Sequence, residues 1–181
     1  DLQAAGGDIR FALLHSQWSS YVAGNPTVGI GELGSSEHAA DQKALFESSL
    51  RSTLDSLKKK GIERILVIGP MPLFPNLVPN CLALADRVGR DRTKSCGLPR
   101  ADADKISDPV RALLRSASAG IDGVRYIDVI DDFCDAQWCR PFADDTILYI
   151  DNFHLADSGM EKIIDSHRAD FDWLFAAPSN P

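Results

Sequence analysis

The chain has 181 residues, with 19 Lys and Arg against 26 Asp and Glu, a net charge of −7. That balance excludes a phosphate-tracking nucleic-acid binder, which needs a basic face. With 44% apolar and 25% charged residues, disordered and fibrous classes are excluded as well. The length suits a single domain, over residues 1–181, that can bury its own core. The opening residues, Asp1 to Asp8, show neither an initiator Met nor the regions of a secretion signal, so the sequence is expected to be a piece of a longer chain.

Residues 10–16 form a nearly continuous apolar run, which predicts a buried strand. Gly24-Asn25-Pro26 and residues 29–34 are loop punctuation. Ser35 or Ser36 then caps a helix reaching Lys60, with Glu37 in its first turn and a stripe of Phe46, Leu50, Leu54 and Leu57. Lys58-Lys59-Lys60 before Gly61 mark the end of that helix. Residues 65–68 predict a second buried strand, stopped by Gly69-Pro70, and residues 71–80, with three more prolines, predict an irregular loop. Ser107 or Asp108 caps a helix with Pro109 at its first position and a stripe of Val110, Leu113, Leu114 and Ala117.

Gly120 and Gly123 end that helix and admit a third strand at residues 124–129. A short extended piece follows at residues 146–150. The last helix carries Met160, Ile163, Ile164, His167, Phe171, Leu174 and Phe175 on one face. Apolar strands alternating with helices predict an α/β fold with a parallel sheet of at least three strands, covered on both faces. Its chemistry belongs beyond the strand C-termini, at residues 16–21, 69–80 and 130–154.

The cysteines pair locally: Cys81 with Cys96 across a polar stretch, and Cys134 with Cys139 five residues on. Neither spacing is that of a zinc knuckle or a redox Cys-x-x-Cys, and no metal site is implied. An even count of local pairs in turn-rich sequence predicts two disulfides and an oxidising compartment, periplasmic or extracellular. Four reduced cysteines in a cytosolic core are the alternative.

Asp151-Asn152-Phe153-His154 carries the chemistry. An Asp and a His three apart on a strand-to-helix turn can meet, the carboxylate fixing the imidazole tautomer and leaving the other nitrogen as a general base. Trp18 is a candidate surface for a sugar ring or a buried aromatic. His15 and His167 are expected in the core, His38 exposed, and Trp138 over a disulfide loop. The Asp131-Asp132 and Asp144-Asp145 pairs lack regular calcium-ligand spacing and read as solvated turns.

Residues 149–155, Tyr-Ile-Asp-Asn-Phe-His-Leu, with Gly159 resemble the last sequence block of SGNH-type hydrolases and acyltransferases. Leu14-His15-Ser16-Gln17-Trp18, the Pro-rich loop before Cys81, and Cys134 with Cys139 ahead of the Asp-x-x-His are similar to one subgroup. It is the periplasmic SGNH domain fused to bacterial integral-membrane O-acyltransferases that acetylate surface polysaccharides. The resemblance implies a three-layer α/β/α sandwich and a Ser-His-Asp mechanism with His154 as base and Asp151 as its orienting acid; it also puts Gln17 where the family has an oxyanion-binding Asn, so that its amide is an oxyanion donor or else a solvated loop amide. It also implies an acyl donor delivered by an N-terminal membrane domain, a glycan acceptor and no cofactor. A soluble carbohydrate esterase and a non-catalytic glycan-binding or interaction domain are the alternatives.

Two departures stand out. The family's Gly-Asp-Ser nucleophile block does not occur here, since Gly7-Asp8 is followed by Ile9. The nucleophile and the first strand are therefore expected upstream of Asp1, leaving an open sheet edge. Ala156 follows His154-Leu155 in place of the family's Ser, so the helix cap is expected to pass to Asp157 or Ser158.

Overall fold

The computed structural model describes residues 9–22 and 39–176. In chain order the elements are β1 (Phe11–Leu14), α1 (Ser19–Val22), α2 (Ala39–Lys59), β2 (Arg64–Ile68), α3 (Val78–Arg87), α4 (Arg92–Cys96), β3 (Leu98–Pro99) and α5 (Arg100–Ser118). There follow β4 (Val124–Ile127), α6 (Ile130–Phe133), β5 (Trp138–Cys139), β6 (Phe142–Ala143), β7 (Thr146–Ile147), α7 (Asp157–Ser166) and α8 (Arg168–Phe175). The glycine-rich loop at residues 24–34, the Ser35 or Ser36 cap, Glu37 and His38 lie outside the described residues.

β1, β2 and β4 form a parallel sheet in the order β1-β2-β4, with Leu13 opposite Leu66 and Val67 opposite Tyr126. The central strand is apolar throughout because both of its faces are covered. Leu66 and Ile68 enter one core with Val78 and Leu82 of α3, Ile163 of α7 and Leu174 of α8. Ile65 and Val67 point the other way, into a core with Leu54 of α2 and Leu114 of α5. Helices on both faces of a parallel sheet make the expected α/β/α sandwich.

β1 is the expected strand but not a buried one. It pairs with β2 alone among the described residues, and as an edge strand it leaves Leu13 42% exposed. The stripe of α2 is buried at Phe46, Leu50 and Leu54, and Gly61 takes a φ of +91° just past the helix end.

Four expectations are corrected. Residues 78–80 belong to α3 rather than to a loop, because Pro79 sits in the first helical turn, where its missing N–H has no intrahelical partner to lose. The next helix starts at Arg100, not Ser107, with Pro109 inside it. There Ser107 is buried rather than capping, its hydroxyl donating to the Ala103 carbonyl at 2.8 Å. Residues 146–150 add nothing to the parallel sheet: β7 folds back on β6 through a turn at Asp144, whose φ is 48°. The final apolar stripe belongs to two helices, which break at His167 and leave Phe175 exposed, its ring edge-on to Phe11.

Both disulfides are present. Cys81–Cys96 ties α3 to α4, and Cys134–Cys139 closes the loop after α6, next to the partly buried Trp138. The first joins two helices rather than turn-rich sequence, the second spans an exposed turn at residues 135–137, and Cys96 and Cys139 are both buried.

Candidate active site

Residues 149–155 close on themselves. Tyr149 bridges Leu155, and the Ile150 N–H donates to the His154 carbonyl at 3.0 Å. Inside this loop Asp151 organises the turn, as an Asp at the head of a turn does. Its Oδ1 accepts the backbone N–H groups of Phe153 at 2.8 Å and His154 at 2.7 Å. Its Oδ2 accepts from His154 Nδ1 at 2.6 Å. That contact assigns the ring proton to Nδ1 and leaves Nε2 without a protein partner among the described residues. The His154 ring first, then the two backbone donors, hold the Asp151 carboxyl down at about 2.

The loop is anchored from two sides. The Phe74 N–H donates to the Asn152 carbonyl at 2.9 Å, and Tyr149 is fully buried between Phe74 and Phe133. On the other side α7 lies so close that a Cβ on Gly159 would run into the Leu148 carbonyl. Asp157 and Ser158 do not cap α7 as expected: Ala156 is the capping position, and the Ser158 hydroxyl donates to the Ile147 carbonyl at 2.6 Å.

His154 opens onto a cleft of about 250 Å³ that also has Ser16, Gln17 and Trp18 after β1, and Pro70, Met71 and Leu73 after β2, in its walls. These are the strand C-termini, where an open α/β sheet keeps its ligands. The structure thus brings Gln17 and Trp18 to His154, with Asp151 behind the imidazole. The Gln17 amide has no partner among the described residues. The Trp18 indole N–H donates to the Ile68 carbonyl at 2.8 Å and its ring meets Phe46 edge-on, so Trp18 is a fixed wall.

His15 is the residue most misjudged from sequence. It lies past the end of β1 and on the cleft wall, exposed over part of its surface instead of in the core. Burial of the ring pushes its pKa below the ordinary value, against the opposing pull of the Ile68 carbonyl. The strand C-terminus rule covers Ser16, Met71, Leu73 and Phe153 but stops one residue short of His15.

The other candidates lie elsewhere. His167 is half-buried and polar in its contacts, with Nε2 3.0 Å from Asp132 Oδ2, instead of purely packed. Asp131 and Asp132 lie on α6 and not in a turn: Asp131 is solvent-exposed and pairs with Arg100 at 2.6 Å, and Asp132, its side chain largely buried, is the partner of His167. Asp144-Asp145 do form an exposed turn, with Asp145 3.3 Å from Arg92. No group of three or more His, Cys, Asp or Glu among the described residues is placed to hold a metal ion.

Over residues 1–167 the sequence matches the family described as the SGNH domain (fused to AT3 domains). The chain belongs to that SGNH family. Among solved structures this SGNH domain is similar to the periplasmic domain of the lipopolysaccharide acetyltransferase of Salmonella ser. Paratyphi A, with a TM-score of 0.56 at 16% identity. The likeness is one of fold, and it covers 78% of this chain and 52% of that one, so the SGNH chain spans about half the length of the solved relative. No curated protein matches the chain.

Proposed function

We propose that this SGNH domain transfers an acyl group, most simply acetyl, to a hydroxyl of a cell-surface glycan. The observation that carries the reading is the Asp151–His154 contact, which turns Nδ1 away and leaves Nε2 open to the cleft. Membership of a family fused to AT3 domains supports an acyl donor delivered by a membrane partner domain. Two disulfides suit the periplasm. No helix among the described residues is long and apolar enough to cross a membrane.

In this reading the nucleophile is a serine of the parent chain upstream of β1. No Gly-Asp-Ser occurs in the 181 residues, and among the described residues nothing pairs with the outer edge of β1, on which one further strand can lie. The serine oxygen attacks the donor carbonyl while His154 Nε2 takes its proton, and Asp151 stabilises the imidazolium. The imidazolium returns the proton to the leaving group. The glycan hydroxyl then attacks the acyl-serine, giving its proton to His154, which restores the serine. Gln17 donates to the oxyanion. Water in place of the glycan would make the domain an esterase.

The test is glycan acetylation by the intact parent in cells, read by NMR of the purified polysaccharide. His154→Ala is expected to lower it about 10³-fold or more; acetylation at the wild-type level would sink the reading. The 181-residue chain alone is expected to hydrolyse p-nitrophenyl acetate no faster than its His154→Ala variant. A turnover that His154→Ala abolishes would place the nucleophile inside the chain, with Ser16 the first candidate because it shares the cleft.

A further inference from the structure

Helix α3 carries apolar residues on two faces. One face, Val78, Leu82 and Ala85, is buried in the core as expected. Yet Leu84 and Val88, with Leu77 at the helix start, are 58%, 52% and 53% exposed. Spacings of seven and four put the three on one stripe. Together with Cys81 of the α3–α4 disulfide they wall a groove of about 420 Å³, and Arg90 lines it too. Three large apolar side chains on one strip of surface are more than single exposed residues account for.

The charge around the stripe is equally out of character. From residue 77 to residue 94 the chain carries Arg87, Arg90, Arg92 and Lys94 against Asp86 and Asp91, a local excess of cations in a chain of net charge −7. The two carboxylates are engaged: Asp86 holds Arg92 at 2.6 Å, and Asp91 accepts the Lys94 backbone N–H at 2.8 Å. Arg87, Arg90 and Lys94 have no carboxylate partner among the described residues. An apolar stripe flanked by unpaired cations has the complementarity of an interfacial helix for an anionic lipid surface: the stripe enters the headgroup boundary and the cations meet lipid phosphates.

We propose that α3 and the start of α4 dock this domain on an anionic phospholipid bilayer through Leu77, Leu84 and Val88, with Arg87, Arg90 and Lys94 as the electrostatic contacts. The start of α3 touches the candidate loop from inside the core. Val78, next to Leu77, donates its N–H to the Asp151 carbonyl at 3.4 Å, and the exposed Ile150 precedes Asp151. The inference needs only this surface and stands whether or not the catalytic reading does.

The test is flotation of the 181-residue chain with vesicles of phosphatidylethanolamine and phosphatidylglycerol, and with vesicles of phosphatidylcholine alone. Binding to the anionic vesicles only, weakened by added salt, is the expected result. Leu84→Glu/Val88→Glu and Arg87→Glu/Arg90→Glu are each expected to lower it about tenfold or more. Lys59→Glu/Lys60→Glu, an equal change of charge at the end of α2, is expected to leave it unchanged, and circular dichroism confirms that each variant is folded. Equal binding to both vesicles, equal loss in the control pair, or no binding overturns the proposal. So does a concentration-dependent dimer, by sedimentation, that Leu84→Glu/Val88→Glu dissolves while vesicle binding persists.

Discussion

The backbone N–H of Phe74 donates to the carbonyl of Asn152 at 2.9 Å, and through that bond the loop after β2 holds the loop that carries His154. The Phe74 side chain lies on the same line of support, buried edge-on against Tyr149 with ring centroids 4.9 Å apart. Phe74→Ala is therefore expected to destabilise the domain by about 3–5 kcal/mol and to loosen the His154 loop. Urea unfolding measures the first effect and the linewidth of the His154 ring protons the second. A stability loss with an unchanged His154 environment would show that the backbone bond alone positions the loop.

Much of this support was legible in the sequence, and the failures have physical causes. The β2 run shows plainly because a central parallel strand buries both faces and so needs no polar residue. The same composition in β1 misleads, since pairing on one side only cannot be read from a single segment. Pro79 reads as part of a loop and Pro109 as the start of a helix, yet one sits in a first turn and the other inside a helix held by the burial of Ala103 and Val110. The stripe from Met160 to Phe175 is continuous, so the break at His167 leaves no mark in its periodicity. Asp151 and His154 were legible because turn chemistry makes their contact local. Gln17 and Trp18 meet His154 only through the sheet, and strand order alone brings them there.

Tyr149 lies in the same sequence block, fully buried, and its hydroxyl has no hydrogen-bond partner among the described residues. Burial pushes the phenol well above its ordinary range, so the group is a neutral, unsatisfied donor. Removing it while keeping the ring is expected to help: Tyr149→Phe should raise stability by about 1 kcal/mol. The measurement is the urea midpoint at unchanged slope. A lower midpoint would reveal a partner for the hydroxyl.

Asp151 and Asp135 are both held at about 2, against an ordinary 3.8. A carboxyl with a depressed value binds fewer protons folded than unfolded, so its contribution is complete above the unfolded value. It is lost as the pH falls from about 4 towards 2. Stability is expected to drop across that window, and carbon-13 titration of the two carboxyls should show both midpoints near 2. In His154→Ala the first cause of the Asp151 shift is gone. Its midpoint should rise towards 3.8 yet stop short, because the backbone N–H groups of residues 153 and 154 still donate. Asp135, held by Trp138, Gln137 and Arg140, should not move.

The disulfides close loops of different length, with sequence separations of 15 and 5. On the loop-entropy account, replacing Cys81 and Cys96 by Ser costs about 3 kcal/mol, and replacing Cys134 and Cys139 about 2 kcal/mol. Urea unfolding of the two double variants, each under oxidising conditions, ranks them. The reverse order would mean that the buried surroundings of Cys139 matter more than loop length.

Gln17 and Trp18 share a wall of the cleft but are expected to fail differently in the intact parent. The Gln17 amide is uncommitted in the structure and free to donate where negative charge develops, an interaction made in the transition state and not before it. Gln17→Ala should therefore lower kcat about 10²-fold or more with little change in KM. Trp18 has already given its N–H to the Ile68 carbonyl, so it has nothing left to donate to an oxyanion. Trp18→Phe should cost about 1 kcal/mol of stability through the lost hydrogen bond and raise KM through a displaced wall, with kcat nearly intact. Steady-state acetyl transfer to an oligosaccharide acceptor separates the two. An unchanged kcat in Gln17→Ala would move the oxyanion donors to the backbone around the nucleophile, leaving Gln17 as a rim residue.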